Sequence, residues 1–287
     1  MSDKIVYLNG EYLPVEQARV SVLDRGFLFG DGIYEVIPVF GLNLLRLDEH
    51  LQRLQNSLSR ISMNNPLDNA QWKAVFDSLL SRNPGNDRAI YLQITRGAHP
   101  VRDLKIQQND VKPTIFIMVL MVNPIDVNEL KKGIETVTID DFRWHACDIK
   151  SISLVANVML REQATQADVV DAILVRDGCV TEGTASNVFI VKDGVLITPP
   201  VSKHLLPGIT RDLVLELAEE NGINCEVRNV QEAELNTADE IWMTSSTREI
   251  APVVMLNRKP VGNKEAGPLW KKMIDIYQDY KQQLRNA

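Results

Sequence analysis

The start of the chain carries the sequence feature that most constrains its fold, a strong signal for a β-hairpin. The β-prone runs at residues 5–8 and 11–13 flank Asn9-Gly10, the dipeptide that favours a tight turn between antiparallel strands. A similar signal at Lys192-Asp193-Gly194 separates two further β-prone runs. Because such turns join neighbouring antiparallel strands, the sequence predicts antiparallel sheet in both halves of the chain.

The length and composition place the chain among globular proteins. Its 287 residues suggest about two domains of roughly 150 residues each. Hydrophobic residues make up 45% and charged residues 24%, and the 15 Gly and 13 Pro follow no period, which excludes the collagen, coiled-coil and disordered classes. The formal net charge of −7, without any basic run, argues against nucleic acid as a partner.

Cysteines, histidines and apolar runs exclude other classes of protein. Cys147, Cys179 and Cys225 are far apart and odd in number, so they predict neither a disulfide framework nor a CxxC metal site, and a reducing cytoplasm fits best. The four histidines are isolated and form no HExxH motif, so we expect no metal. Residues 1–30 do not resemble a signal peptide, and the longest apolar run, residues 115–122, is too short to span a membrane. We therefore expect a cytoplasmic protein without a membrane segment.

Residues 1–122 are predicted to form one α/β domain. Residues 33–40, 89–95 and 114–122 are strand candidates, and the last two are dense in apolar side chains, as buried strands are. After a turn at residues 41–43, Asp48 is predicted to cap a helix. The apolar positions of this helix, which would cover the sheet, share one face: Leu51, Leu54, Leu58 and Ile61.

A second domain is predicted to follow a short linker. Asn123-Pro124-Ile125-Asp126 interrupts the pattern, so we place the N-terminal domain at residues 1–122, the linker at 123–132 and the C-terminal domain at 133–287. Beyond the linker, the sequence predicts helices at 151–166, 210–220 and 268–284, and strands at 135–139, 171–176, 187–191, 195–197, 225–230 and 240–244. The C-terminal domain is therefore expected to be rich in β-structure.

Lys150 is the first candidate for chemistry, because small and apolar residues surround it in Asp148-Ile149-Lys150-Ser151-Ile152-Ser153-Leu154. Most lysines are solvated surface residues. A lysine at the mouth of a sheet, however, loses the water that favours its charged form, and the free amine can then bind a carbonyl compound covalently. This segment alone leaves both interpretations open.

Two later segments fit a cofactor that has a ring nitrogen and an anionic group. Glu182, which small and hydroxylated residues follow, is the acidic group that a pyridinium nitrogen requires, although a turn carboxylate beside Gly183 would look the same. Leu206-Pro207-Gly208-Ile209-Thr210-Arg211 opens a helix whose free amides and dipole favour an anion, although an ordinary helix start has the same pattern. Together with Lys150, the two segments favour a cofactor site.

The motifs, taken in order along the chain, resemble those of the fold type IV pyridoxal-phosphate (PLP) enzymes, which include the D-amino-acid and branched-chain aminotransferases. The likeness runs from about residue 5 to residue 280. The segments that carry it are Asp24-Arg25-Gly26, Phe29-Gly30-Asp31-Gly32-Ile33-Tyr34-Glu35, Glu49-His50-Leu51-Gln52-Arg53-Leu54, Asp148-Ile149-Lys150-Ser151, Thr181-Glu182-Gly183, Asn187-Val188-Phe189, Gly208-Ile209-Thr210-Arg211 and Thr244-Ser245-Ser246-Thr247. The resemblance implies a mixed α/β (α+β) fold of two domains, a smaller N-terminal α/β domain and a larger C-terminal β-rich domain.

Within this family, two segments are closer to the D-amino-acid transaminases than to the branched-chain enzymes: Cys147-Asp148-Ile149-Lys150-Ser151 and Thr95-Arg96-Gly97. The resemblance therefore implies a transaminase that moves the amino group of a D-amino acid, with D-alanine favoured, to a 2-oxo acid such as 2-oxoglutarate. It also implies a homodimer whose two active sites lie at the subunit interface and between the two domains of each subunit. Three alternatives stay open: a branched-chain L-amino-acid transaminase, an (R)-amine transaminase and a lyase similar to aminodeoxychorismate lyase.

The resemblance also implies a role for each matching residue. Lys150 would carry PLP and move a proton between substrate and cofactor, and Glu182 would keep the pyridine nitrogen protonated. Tyr34, reaching across the dimer, and Thr247 would line the substrate pocket. The phosphate would be held by Arg53, the Ile209 and Thr210 amides, Ser245 and Ser246.

The binding of the substrate carboxylate is where the chain departs from this resemblance. D-amino-acid transaminases carry an Arg, one residue and then a His shortly after an Arg-Gly dipeptide. Here Arg96-Gly97 is followed by Arg102, shifted by one place, and Asp103 stands where the His would be. A carboxylate needs a cation, and a guanidinium binds both of its oxygens at once. We therefore expect Arg102 or Arg248 to bind it, unless both are solvated loop arginines.

Overall fold

The computed structural model describes residues 4–105 and 111–286, which divide into two compact units. The first unit comprises the described parts of Met1–Asn123, Ile149–Ser153 and Leu284–Ala287, and the second comprises Pro124–Asp148 and Leu154–Gln283. The sequence-based boundaries place residues 149–153 in the C-terminal domain, whereas the structure groups them with the first unit. The reason is backbone pairing, because the Tyr34 N–H donates to the Lys150 carbonyl at 2.9 Å.

Among the described residues, the first unit is built on an antiparallel sheet of six strands in the order β2-β1-β6-β5-β3-β4. The strands are β1 (Ile5–Leu8), β2 (Glu11–Pro14), β3 (Gly32–Phe40), β4 (Asn43–Leu44), β5 (Asp87–Thr95) and β6 (Thr114–Met121). β1 and β2 form the predicted hairpin, in which Leu8 lies opposite Glu11. Asn9 and Gly10 have positive φ angles of 52° and 105°, as a tight two-residue turn requires.

The described part of the first unit contains a short 3-10 helix at Val15–Gln17 and three α-helices: α1 (Arg25–Phe29), α2 (Leu47–Arg60) and α3 (Asn69–Arg82). α2 buries the predicted apolar positions Leu51, Leu54 and Leu58, whereas the fourth, Ile61, is the C-cap and only half-buried. The expected cap is wrong, because the N-cap of α2 is Arg46 and Asp48 lies within the first turn. In that position the carboxylate still interacts favourably with the positive end of the helix dipole.

The helix α3 is additional to the elements predicted from the sequence. It begins with a capping box, in which the side chains of Asp68 and Gln71 each accept a hydrogen bond from the backbone N–H of the other residue. Its buried face includes Trp72 and Phe76, whose stacked rings lie 5.9 Å apart. These side chains contribute to the core that α3 forms with β1 and β6.

The second unit contains a mixed sheet of nine strands in the order β12-β11-β10-β13-β14-β7-β8-β9, with β15 paired to β14. The strands are β7 (Ile134–Asp140), β8 (Asp171–Arg176), β9 (Cys179–Gly183), β10 (Asn187–Lys192), β11 (Val195–Thr198), β12 (Cys225–Val227), β13 (Glu240–Ser245), β14 (Glu249–Leu256) and β15 (Lys259–Pro260). β7 runs parallel to β8 and β14, and β11 runs parallel to β12, whereas the remaining pairs are antiparallel. The predicted wealth of β-structure in this part of the chain is thus observed.

Two features of this sheet differ from the sequence-based prediction. β9, β14 and β15 are additional strands. β12 ends at Val227 and does not extend to residue 230, because the chain turns away to the other edge of the sheet. There the Val180 N–H, on β9, donates to the Val230 carbonyl at 2.8 Å.

The helices that begin in the second unit are α4 (Val127–Leu130), α5 (Val155–Gln166), α6 (Ile209–Glu220), α7 (Glu232–Leu235) and α8 (Pro268–Asn286). The helical spacing predicted α5, but its buried side chains are Leu160 and Ala164. Three of the apolar residues whose spacing predicted this helix and its core face, Val155, Val158 and Met159, are 73%, 64% and 53% exposed. Within residues 4–105 and 111–286, no helix is both long and apolar enough to cross a membrane.

Candidate active site

Lys150 lies in a short segment that pairs with the start of β3 in the first unit. Its backbone N–H donates to the Ser57 hydroxyl of α2 at 3.2 Å, and its carbonyl accepts from the Tyr34 N–H. The side-chain Nζ lies 4.2 Å from the centre of the Tyr34 ring. It donates no hydrogen bond to any of the described residues. The backbone of Lys150 is therefore fixed on both sides, while its amine is available for covalent chemistry.

A buried ion pair beside this segment holds Arg53. Nε and Nη2 of Arg53 donate to the two carboxylate oxygens of Glu35 at 2.8 Å and 2.7 Å, and His50 Nδ1 lies 2.8 Å from the same carboxylate. Burial alone would raise the pKa of Glu35, but the Arg53 guanidinium outweighs it and holds the pKa well below its ordinary value. Glu35 is thus ionised and fixes the direction of the Arg53 side chain. Neither Glu35 nor His50 was a candidate site residue, although both lie inside the motifs that carry the resemblance.

The second unit holds Glu182 at the end of β9, where the side chain is buried. Its carboxylate accepts hydrogen bonds from Nη1 of Arg143 and from the Leu206 N–H, the latter at 2.9 Å. The amide nitrogen of Asn187 lies 3.5 Å away. The pKa of Glu182 lies above its ordinary value, because burial outweighs the opposing effects of Arg143 and the Leu206 N–H. Charged and backbone donors therefore converge on Glu182 from the segment after β7 and from the segment before α6.

Arg143 has a second carboxylate partner on its other side. Its Nε and Nη2 donate to Oδ1 and Oδ2 of Asp141 at 2.9 Å and 2.8 Å. Burial by itself would lower the pKa of Arg143, but the hydrogen bond to Asp141 and the charge of Glu182 outweigh it and raise the pKa. Arg143 therefore stays charged between two buried carboxylates. Sequence reasoning missed it, since a lone arginine after a strand carries no motif.

The N-terminus of α6 is an uncapped helix start. Its N-cap is Gly208, which offers no side chain to the first amides, and Ile209 and Thr210 are both buried. A Cβ on Gly208 would lie 1.9 Å from the Asn187 side-chain oxygen, so only glycine permits this close approach. The free amides of a helix start attract anions, because the helix dipole adds to their hydrogen bonds. This part of the second unit can therefore bind a phosphate.

The turn between β13 and β14 lies beside the segment that follows Glu182. Asn187 of β10 pairs with Thr244 of β13, which brings the two segments to the same end of the sheet. Ser245 and Ser246 are half-buried and Thr247 is exposed. Hydroxyl groups here add further donors at the end of the sheet where α6 begins.

The two arginines expected to bind a substrate carboxylate have different surroundings. The Arg102 guanidinium of the first unit lies 4.9 Å from the centre of the Phe29 ring, and its side chain is exposed. Arg248 of the second unit donates from Nη1 to Oδ2 of Asp171 at 2.9 Å, so it is already paired with a carboxylate.

The expected site residues thus fall into two groups. The first unit contains Tyr34, Arg53, Arg102 and Lys150, and the second contains Glu182, Ile209, Thr210, Ser245, Ser246, Thr247 and Arg248. Within the part of the chain that the structure describes, no three His, Cys, Asp or Glu side chains come together as a metal site.

Comparison with known families and proteins gives a consistent result. The family model of amino-transferase class IV matches residues 32–256. The D-alanine aminotransferase of Bacillus licheniformis is 40% identical over 275 residues, which cover 96% of this chain and 96% of that protein. The D-alanine aminotransferase of Staphylococcus haemolyticus is 35% identical over 276 residues, which cover 96% of this chain and 97% of that protein.

Solved structures with the same fold include branched-chain enzymes. The T.th. branched-chain amino acid aminotransferase with pyridoxamine 5'-phosphate superposes with a TM-score of 0.90 at 26% identity, covering 98% of this chain and 95% of that chain. A fold IV-transaminase from Curtobacterium pusillum gives a TM-score of 0.80 at 27% identity, covering 93% and 92% of the two chains. The predicted type IV fold is therefore confirmed.

Proposed function

The chain belongs to the class IV aminotransferase family, and from this premise we propose that it transfers the amino group of a D-amino acid, with D-alanine as the preferred donor, to a 2-oxo acid such as 2-oxoglutarate. The observation that carries the proposal is the 40% identity to a D-alanine aminotransferase over 96% of both chains. The departure at Arg102 and Asp103 concerns how the carboxylate is bound, and it leaves the type of reaction unchanged.

PLP is the proposed cofactor, and the residues present fit its three polar groups. The Lys150 amine, free of hydrogen bonds within the described residues, suits the aldehyde. The buried Glu182 suits the pyridine nitrogen, because a carboxylate at hydrogen-bond distance favours the protonated ring. The uncapped amides of Ile209 and Thr210 suit the phosphate.

Lys150 is proposed to act as both anchor and base. When bound, PLP withdraws electrons from the substrate α-carbon, which acidifies its proton. Lys150 would hold the cofactor through Nζ, and once displaced by substrate its amine would move a proton between the substrate α-carbon and the cofactor C4′ carbon. The Tyr34 ring beneath Nζ limits where this amine can move.

Glu182 is proposed to keep the pyridine nitrogen protonated throughout. Arg143 and the Leu206 amide donate to the carboxylate and oppose the effect of its burial, and a protonated ring would add a further positive partner. The ionised carboxylate can then accept a hydrogen bond from the ring N–H. Arg143 therefore helps Glu182 to keep the ring protonated, although Arg143 does not itself contact the ring.

The phosphate is proposed to bind Arg53, the Ile209 and Thr210 amides, and the Ser245 and Ser246 hydroxyls. Tyr34 and Thr247 are proposed to line the substrate pocket. For the substrate carboxylate we favour Arg102 over Arg248, because Arg102 is exposed and Arg248 is already paired with Asp171.

We further propose a homodimer that resides in the cytoplasm. Exposed apolar side chains support an interface between copies, since patches of this kind on soluble proteins commonly mark contact surfaces. In the first unit, Val22, Phe27, Val101 and Leu104 are 69%, 74%, 62% and 75% exposed. Sedimentation at several protein concentrations tests this, and a monomer at every concentration would contradict it.

A branched-chain L-amino-acid transaminase is the second candidate. The observation that favours it is the TM-score of 0.90 to a branched-chain amino acid aminotransferase, although identity there is 26%. The same fold accommodates both substrate classes, so only substrate choice separates the two functions.

The deciding experiment is a half-reaction with the purified yellow protein. We expect excess D-alanine, without any 2-oxo acid, to bleach the visible absorbance of the bound cofactor and release pyruvate, and 2-oxoglutarate to restore the absorbance. Bleaching by L-leucine alone would favour the branched-chain function. Bleaching by an amine without a carboxylate would favour an (R)-amine transaminase. Pyruvate release from aminodeoxychorismate would favour a lyase. The Lys150→Ala variant is the control, because it lacks the amine that must remove the proton.

A further inference from the structure

A buried carboxylate links two segments of the second unit that are far apart in sequence. Asp171, the first residue of β8, is 1% exposed. Its Oδ1 accepts a hydrogen bond from the Thr184 hydroxyl at 2.6 Å, and its Oδ2 accepts from Arg248 Nη1 at 2.9 Å. Thr184 lies two residues after Glu182, and Arg248 directly follows Thr247. One side chain therefore bridges the Glu182 segment and the turn between β13 and β14.

Arg161 of α5 contacts both Asp171 and Thr184. Its Nη2 donates to Asp171 Oδ2 at 2.9 Å, and its Nε donates to the Thr184 hydroxyl at 2.8 Å. The Asp171 carboxylate thus has two guanidinium partners, and the cluster carries an excess of positive charge. Buried charges with several charged donors resist rearrangement, because displacing one partner leaves the others without their counter-charge.

We propose that Asp171 is a positioning residue for the cofactor. It sets the distance between Glu182, which is proposed to bind the pyridine nitrogen, and the Ser245 and Ser246 hydroxyls, which are proposed to bind the phosphate. This inference rests on the proposed function. Asp171 hydrogen-bonds to Thr184, Ala172, Arg161 and Arg248, so it acts through the two segments. A ligand held at two points gains affinity only when both contacts form together, and the gain falls when their spacing is wrong.

A second buried carboxylate provides a matched control. Glu240 of β13 is buried and accepts from Trp242 Nε1 at 2.9 Å and from the Leu269 and Trp270 amides at 2.8 Å and 2.9 Å. These partners lie on β13 itself and at the start of α8. Glu240→Gln therefore disturbs a buried carboxylate of the same unit without breaking the link between the two segments.

The test compares PLP with pyridoxal, which lacks the phosphate. The protein is stripped of cofactor, and the Kd of each compound is measured by titration of the visible absorbance. The Kd of pyridoxal divided by the Kd of PLP reports how much the phosphate contributes to binding once the ring is bound. We expect Asp171→Asn to reduce this ratio about tenfold or more, because the phosphate contact no longer forms at the right spacing. Glu240→Gln should keep the ratio within about twofold of wild type even where both variants lower the Tm equally.

Other outcomes overturn the proposal in distinguishable ways. An unchanged ratio in Asp171→Asn, or an equal loss in Glu240→Gln, would show that Asp171 only stabilises the fold. If Asp171→Asn does not fold, Arg248→Met, which removes a half-buried partner, must give the reduced ratio, and a wild-type ratio there would contradict the proposal. A wild-type protein that binds neither PLP nor pyridoxal would instead contradict the proposed function itself, and the inference with it.

Discussion

Arg143 donates a hydrogen bond to the buried carboxylate of Glu182 although 39 residues separate the two in sequence. Asp141 holds the other side of the same guanidinium, so its orientation is fixed. Glu182 therefore meets any ring nitrogen with a charged donor already in place, which opposes the rise in its pKa that burial causes. A buried carboxylate without such a partner would take up a proton and lose its effect on the ring.

Arg143→Met is expected to destabilise the protein and Glu182→Gln to relieve part of that loss. Removing one partner of a buried ion pair costs about 3–5 kcal/mol of unfolding free energy, because the other charge is left unbalanced. Glu182→Gln in the Arg143→Met background removes the unbalanced carboxylate. Urea unfolding of the two single variants and the double variant measures this coupling. Losses that simply add would show that the two side chains do not interact.

Glu182→Gln is expected to retain the cofactor but slow proton removal. A neutral amide cannot favour the protonated pyridine as an anion does, so the rate should fall about 10²-fold or more, the scale of a lost electrostatic stabiliser. Single-turnover loss of deuterium from the D-alanine α-carbon measures this step directly. Glu226→Gln, on an exposed carboxylate of β12, serves as the control. An unchanged rate in Glu182→Gln would refute the assigned role.

Arg102→Ala is expected to raise the KM for D-alanine and for 2-oxoglutarate. The loss should be about tenfold or more, since a charge-assisted hydrogen bond contributes about 1.5–3 kcal/mol. Conversion of an amine without a carboxylate should be spared. Steady-state kinetics on both substrate classes measure the difference. Equal losses on the two classes would mean that Arg102 supports the fold through Phe29, and no loss would place carboxylate binding elsewhere.

Cys147 is expected to resist alkylation at neutral pH. Burial raises the pKa of its thiol to about 11, so only a very small fraction is thiolate below pH 8. Iodoacetamide at pH 7.5 should therefore modify the half-buried Cys179 well before Cys147, and the Cys147 rate should rise steeply toward pH 10. Mass spectrometry of peptides from native and urea-denatured protein measures this order. Rapid native labelling of Cys147 would contradict the packing of the segment that holds Arg143.

Local signals in the sequence predicted the elements whose causes are local. Asn9-Gly10 specifies its turn through two positive φ angles, and the apolar spacing of Leu51, Leu54 and Leu58 defines the buried face of α2. The family motifs likewise identified Lys150 and Glu182 as candidates. The capping box at Asp68 was equally readable, so the omission of α3 reflects an unused signal rather than a missing one.

Contacts between distant segments were beyond sequence reasoning. Arg143 reaches Glu182, and Asp171 reaches Arg248, only because β7, β8 and β9 lie side by side and β14 pairs with β7. No spacing rule encodes such pairings. The same limit explains why Val155 was a plausible core residue from its helical spacing although it is exposed on α5.

The most direct test of the account is the identity of the lysine that holds the cofactor. Borohydride reduction of the yellow protein fixes the cofactor on its lysine, and peptide mapping then locates the label. We expect the label on Lys150 alone, and its complete loss in Lys150→Ala. The preceding lysines in the sequence, Lys131 and Lys132, lie at and beyond the end of α4, outside the segment that pairs with β3. A label on any other lysine, or none on the wild-type protein, would contradict the account.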